Sequence, residues 1–252
     1  MAFFRRLLLA FQFMTRIPLP FNAHATEADF AASSVFYPVT SLAVGAFMLL
    51  VYGLLLFTGL PVLSAFAAVM AGCFITGALH LDGFADCCDA FYTKKPKEDT
   101  LRILKDSRMG TFGVLGIVFD AGVKTLLILA LYEQKKADMA FTILCMPVAG
   151  KLPLIIAPAL AKYARPEGTG KSMIENIKPL HIVLCILLCA GLLAVFFGKY
   201  AGVIVPVILL TGALIAKRSE KRIGGITGDV LGAENEIGEM LYLLILIIVY
   251  AV

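Results

Sequence analysis

The chain has no tryptophan, only three histidines and few charged residues. None of its cysteines forms a CxxC pair. Each shortage narrows what the protein can be. Charged residues make up 16% of the chain against 60% apolar, with a mean hydropathy of +0.90, which excludes an ordinary soluble domain. Without tryptophan, anchoring at a membrane–water interface falls to tyrosine, lysine and arginine. Cys73, Cys87, Cys88, Cys145, Cys185 and Cys189 read as small apolar packing residues. The net charge of +4 is not accompanied by aromatics interleaved with basic residues, so no nucleic-acid surface is expected.

What the chain does have is long apolar runs. Seven are long enough to span a bilayer, at approximately 36–58, 61–79, 110–133, 138–161, 180–197, 200–216 and 237–252. They predict an all-α, polytopic membrane helical bundle of about seven transmembrane helices, forming one integral domain over 1–252. The start resembles a signal peptide, but Gln12, Thr15 and Arg16 break its apolar run and no small-residue cleavage site follows. Residues 1–17 therefore read as an amphipathic segment on the membrane or a short first helix. With the N-terminus placed inside, 17 Lys/Arg fall in 1–17, 80–109, 162–179 and 217–236, against Lys135, Lys136 and Lys199 outside. The positive-inside rule then makes the N-terminus and the three polar loops cytoplasmic.

The first of those loops opens with three acids and no base. Asp82, Asp86 and Asp89 stand at i, i+4 and i+7, within roughly 60° of one another on a helix. Like charges stacked this way repel, so a divalent cation is expected, and oxygen-only ligands favour magnesium, manganese or calcium over zinc. Further along, Asp106 is a candidate fourth oxygen ligand, and Lys105 and Arg108 are candidate phosphate clamps. Gly110 and Gly113 would let the backbone approach a bound group.

The second loop, Ala164-Arg-Pro-Glu-Gly-Thr-Gly-Lys-Ser172, resembles a phosphate loop but carries Arg165 where the Walker pattern needs its first glycine. Arg165 and Lys171 among glycines still suit an anion or, equally, a flexible connector. In the third loop, Gly228, Asp229 and Glu236 follow a glycine-rich start and could serve a nucleotide or a metal. Within the spans, Asp120 and Lys124 are i, i+4 and can pair, and Lys151 lies in a proline-kinked run. Such charges must face the bundle interior or a wet cavity. His80, beside the aspartates, is either a base, a donor to them or a packing residue.

The runs His80-Leu-Asp-Gly-Phe-Ala-Asp-Cys-Cys-Asp89, Lys105-Asp-Ser-Arg-Met-Gly-Thr-Phe-Gly113 and Gly224-Gly-Ile-Thr-Gly-Asp-Val-Leu-Gly-Ala233 resemble the bacterial cobalamin synthase family, the adenosylcobinamide-GDP ribazoletransferases. Phe13-Met-Thr-Arg-Ile-Pro-Leu-Pro20 fits the same pattern, and the resemblance runs the length of the chain. It implies a magnesium-dependent enzyme of the bacterial inner membrane, with its active site facing the cytoplasm. Such an enzyme joins adenosylcobinamide-GDP to α-ribazole or its 5′-phosphate and releases GMP. On that reading Asp82, Asp86 and Asp89 hold Mg²⁺, Asp106 is ligand or base, and His80 belongs to the catalytic set. Lys105, Arg108 and Arg165 stabilise leaving-group charge, while Lys171, Gly228, Asp229 and Glu236 bind substrate. The resemblance leaves open a homo-oligomer or association with other cobalamin-assembly enzymes.

Two rival readings keep the membrane setting. A CDP-alcohol phosphotransferase wants Asp-Gly-x-x-Ala-Arg, and here Asp82-Gly83-Phe84-Ala85 runs on into Asp86. A secondary transporter would use Asp120, Lys124 and Lys151 as an ion path, yet most unusual residues cluster in the loops.

Overall fold

Apolar runs in a bilayer satisfy their backbone polar groups internally, which favours helices. The computed structural model describes residues 2–19, 25–168 and 170–251; Pro20 of the early motif and Thr169 of the second loop lie outside them. Among the described residues there are twelve α-helices and, outside them, one parallel β-bridge between Tyr163 and Ile226. In chain order they are α1 (Ala2–Met14), α2 (Glu27–Ser33), α3 (Tyr37–Leu56), α4 (Pro61–Thr76), α5 (Leu79–Tyr92) and α6 (Lys97–Ile103), then α7 (Thr111–Gln134), α8 (Met139–Ile156), α9 (Lys171–Asn176), α10 (Pro179–Phe197), α11 (Ala201–Ile223) and α12 (Gly228–Ala251).

The centre of the bundle is α8, almost wholly buried despite Pro147 and Pro153 within it. It packs against α3, α10, α11 and α12. Its own Ile143 and Leu152 are buried, and around it stand Tyr37, Met48, Ile128, Leu193, Ile208 and Leu246, also buried. The outward faces of α3, α7, α10 and α11 instead expose Leu50, Phe119, Leu187 and Leu210, as a lipid-facing surface requires. At the N-terminus, Arg5 and Arg6 of α1 pair with Asp29 of α2 at 2.6 and 3.1 Å.

Among the described residues, four helical stretches are long and apolar enough to cross a membrane: Glu27–Leu56, Thr111–Gln134, Met139–Ala159 and Pro179–Ile223. The pair α4 and α5, bent by 97°, passes the same test only when taken together, as a broken span or a re-entrant loop. This is a helical membrane protein, though the expected count of seven is not reproduced. The 180–197 and 200–216 runs form one continuous apolar stretch broken only at Gly198–Tyr200. The last helix carries the buried acids Glu234, Glu236 and Glu239 in its first half.

The loops expected at 80–109 and 217–236 are largely helical. In the first, Gly77 (φ 64°) and Ala78 (φ 57°) both adopt left-handed backbone, which ends α4 and turns the chain into α5. In the second, Lys217–Arg222 continues α11 for another turn and a half, because these are good helix formers and the basic residues suit a helix C-terminus. Gly224 (φ 83°) then stops it, and α12 begins four residues later at Gly228.

Candidate active site

The site is built where α5 crosses α12. Neither helix could carry a side chain at the crossing. A Cβ on Gly83 would meet the Asp229 carbonyl oxygen at 2.8 Å, and one on Gly232 would meet the His80 carbonyl oxygen at 2.8 Å. The glycines therefore let two backbones touch, and they bring the first and third sequence motifs together. Asp82 is exposed at this mouth and Asp86 is half-buried. The charged neighbours of Asp86 are Asp82, Asp229, Asp89 and Arg165.

Arg165 arrives from the second loop. Its Nη2 lies 2.7 Å from Asp229 Oδ2, and Thr227 donates to the same oxygen at 3.1 Å. The loop is held there by backbone pairing: Ile226 N–H donates to Lys162 O at 2.8 Å and Ala164 N–H to Ile226 O at 2.9 Å. A cavity of about 160 Å³ opens beside these residues, lined by His80, Asp82, Gly83, Gly170, Gly228 and Asp229 among others. Lys171 donates to Pro166 O at 2.6 Å, inside its own loop.

Two expected ligands are otherwise engaged. Asp89 accepts from Gly110 N–H at 2.7 Å and Gly113 N–H at 2.8 Å, so its carboxylate caps the N-terminus of α7. The close approach expected of Gly110 and Gly113 is real, but the group approached is Asp89: a Cβ on Gly110 would meet its Oδ1 at 2.5 Å. Asp106 pairs with Arg108 at 2.7 Å and also accepts its backbone N–H at 3.0 Å. Those hydrogen bonds hold the Asp106 carboxyl down to about 2, well below the usual carboxylate range. Arg108 and Lys105 are exposed.

His80 also lines a second, deeper chamber, and Glu236 lies in that chamber and not at the mouth. Seven residues along α12 is about 10 Å of travel, so Glu236 lies deep in the bundle while Asp229 stands at its end. There Glu236 pairs with Lys124, which also contacts Glu239 at 2.8 Å and Asp120 at 3.1 Å. Asn235 donates to both Glu236 and Glu239 at 3.1 Å. It accepts from Lys151 at 2.5 Å, and Lys151 Nζ lies 2.8 Å from His80 Nε2. One connected polar network thus runs through α7, α12, α8 and α5 around a chamber of about 40 Å³. The anticipated Asp120–Lys124 pair is part of it. Glu236, expected among the substrate-binding residues, is instead paired with Lys124 inside the bundle and does not line the mouth cavity. Asn235, Glu239 and Thr227 were missed; Glu239 and Asn235 sit one helical turn apart, and that spacing beside a buried lysine was the available signal.

The donor chemistry at the mouth suits a hard cation, since Asp82, Asp86 and Asp229 offer only oxygen and Arg165 is the one base paired with them. Among the described residues no three acids already converge on one point. Magnesium is commonly held by one or two carboxylates together with substrate phosphates, so the residues fit a site that the substrate completes.

Fold and site together define an integral membrane protein with a carboxylate-rich polar mouth set on one end of a helical bundle. The chain belongs to the cobalamin-5-phosphate synthase family, whose model matches residues 6–247. It is 37% identical over 254 residues to an adenosylcobinamide-GDP ribazoletransferase of Clostridium acetobutylicum, covering 100% of this chain and 98% of that one. A protein of the same name from Alkaliphilus oremlandii is 36% identical over 95% of this chain and 96% of its own. A third, from Clostridium novyi, is 33% identical over 96% of both. No solved structure matches. These likenesses do not favour the phospholipid-synthase or transporter readings.

Proposed function

We propose that this protein is an adenosylcobinamide-GDP ribazoletransferase of the inner membrane, with its mouth toward the cytoplasm. It joins adenosylcobinamide-GDP to α-ribazole or its 5′-phosphate and releases GMP. The observation that carries this reading is the α5–α12 crossing, which sets Asp82 and Asp229 on one cavity, with Arg165 paired to Asp229 and Asp86 close by, in a chain that matches the family over residues 6–247.

In this reaction a ribose hydroxyl oxygen forms a bond to the phosphorus attached to cobinamide. The bond from that phosphorus to the GMP oxygen breaks, and the hydroxyl proton passes to a base. Phosphoryl transfer asks mainly for positioning and charge neutralisation. Asp82 and Asp86, with Asp229 beside them, would hold Mg²⁺, which when bound neutralises pyrophosphate charge. Arg165 exchanges its Asp229 partner for a phosphate oxygen of the leaving group, in the bidentate manner guanidinium allows. Asp106 is poorly suited to accept the proton, because Arg108 makes its carboxylate a weak base. Gly170 and Gly228 keep the cavity wall open to a nucleotide.

The test supplies purified full-length protein in liposomes with adenosylcobinamide-GDP, α-ribazole and Mg²⁺, and follows GMP by chromatography. GMP should appear in step with the joined corrinoid, and Asp82→Asn should abolish both while leaving the protein in the membrane. Absence of GMP from the wild-type protein, or near-normal turnover by the variant, would refute the assignment.

A further inference from the structure

A second cavity lies on the far side of α5 from the carboxylates. It is a groove of about 880 Å³ between α5, α7, α11 and α12, at the large end for ligand pockets. Its walls are apolar, with Phe84, Cys88, Phe112, Leu115, Phe119 and Ile237 among them, and no residue of the mouth lines it. Leu115 and Phe119 are exposed, so the groove opens toward lipid. At one end it meets Arg218, and there a smaller cavity of about 220 Å³ continues, lined by Phe91, Lys94, Arg218 and Arg222. That cavity holds three cations and no acid. None of the three enters an ion pair among the described residues. One guanidinium nitrogen of Arg222 is buried with no hydrogen-bond partner.

We propose that this groove binds one anionic phospholipid, its acyl chains between α5, α7, α11 and α12 and its phosphate among Lys94, Arg218 and Arg222. An apolar cleft that ends in unpaired cations is complementary to an anionic amphiphile. A buried guanidinium N–H without an acceptor is costly, and a phosphate oxygen supplies the acceptor it lacks. Basic pockets between helices at a membrane edge recruit anionic headgroups for the same reason. A zwitterionic lipid brings its own cation and gains less. This inference does not depend on the transferase reading.

The experiment incubates the full-length protein, purified in detergent, with dioleoyl phosphatidylglycerol or dioleoyl phosphatidylcholine and counts bound lipid by native mass spectrometry. The anionic lipid should bind at roughly tenfold lower concentration than the zwitterionic one. Arg218→Gln/Arg222→Gln should erase that preference. Lys217→Gln/Lys221→Gln, which removes the same charge from exposed positions lining neither cavity, should keep it. Leu115→Trp, which fills the groove and leaves the arginines in place, should reduce binding of both lipids. Equal loss in the two charge variants, retention in the arginine variant, or displacement of the lipid by adenosylcobinamide-GDP would each overturn the proposal.

Discussion

Asp89→Ala separates two roles of one carboxylate, the metal ligand expected from the sequence and the helix cap seen in the structure. Gly110 is the N-cap of α7 and has no side chain to cap with, and Asp89 replaces it from another helix by accepting the N–H groups of Gly110 and Gly113 at 2.7 and 2.8 Å. Hydrogen bonds to a charged group contribute about 1.5–3 kcal/mol each, while loss of a helix cap costs about 0.5–2 kcal/mol. Asp89 is half-buried, so water recovers part of the loss, and a net destabilisation of about 2–3 kcal/mol is expected. For a chain of this size that lowers the melting temperature by roughly 4–12 °C. The chain has no tryptophan, so unfolding is best followed by circular dichroism of the detergent-solubilised protein. In parallel, GMP release is measured against Mg²⁺ concentration. Asp89→Ala should melt earlier yet reach half-activity at a Mg²⁺ level within about twofold of wild type, where the metal-binding energy is unchanged. A variant that melts normally but needs tenfold more Mg²⁺ would show that Asp89 is a ligand and that the cap is incidental.

Lys124→Met leaves Asp120, Glu236 and Glu239 without their shared cation, and breaking such a buried set costs about 3–5 kcal/mol. Adding Glu236→Gln and Glu239→Gln should recover at least half of the lost thermal stability; no recovery would refute the network as described. Gly83→Leu should separate α5 from α12, because a Cβ there already meets Asp229 O at 2.8 Å. Helical content by circular dichroism should persist while GMP release falls at least a hundredfold, or about 2.7 kcal/mol in barrier. Gly122→Leu, where a Cβ meets nothing within 4 Å, should leave turnover near normal.

Much of α5 could be read from sequence because its information is local. Three aspartates at four- and three-residue spacing define a helix face whatever that face meets. Helicity and the clustering of basic residues in connecting segments are likewise properties of short windows. What a face meets is set by crossings between distant segments, and periodicity does not encode those. Asp89 finds its amides 21 and 24 residues away, and Arg165 finds Asp229 across 64. Lys151 reaches His80 across 71. The glycines were visible, but whether a glycine serves a bound group or a neighbouring helix depends on the partner. Asp82–Asp89 and Asp229–Glu236 are both seven residues apart, yet the two pairs end in different surroundings for a related reason. α5 turns by 97° at the bundle end, so its acids stay near that end, whereas α12 runs inward and carries Glu236 to the interior.

That bend also explains how two acidic clusters so close in sequence avoid becoming one. His80 and Asp82 are two residues apart, about 200° around a helix, so α5 buries His80 where it lines both the inner chamber and the mouth cavity, and leaves Asp82 exposed at the mouth. Inside, Asp120, Glu236 and Glu239 meet Lys124 and Lys151, cations fixed on α7 and α8. A network closed within the bundle has to carry its counter-charges with it, because bringing an ion to it from water is expensive. At the mouth, Asp82, Asp86 and Asp229 share only Arg165, and Asp82 is exposed. There the protein leaves its negative charge under-compensated, and a counter-ion from solution can arrive and leave with each substrate. On the proposed function, a dissociable Mg²⁺ would therefore be held at Asp82 and Asp86 and not in the chamber beside Lys124, whose ammonium already neutralises the acids there.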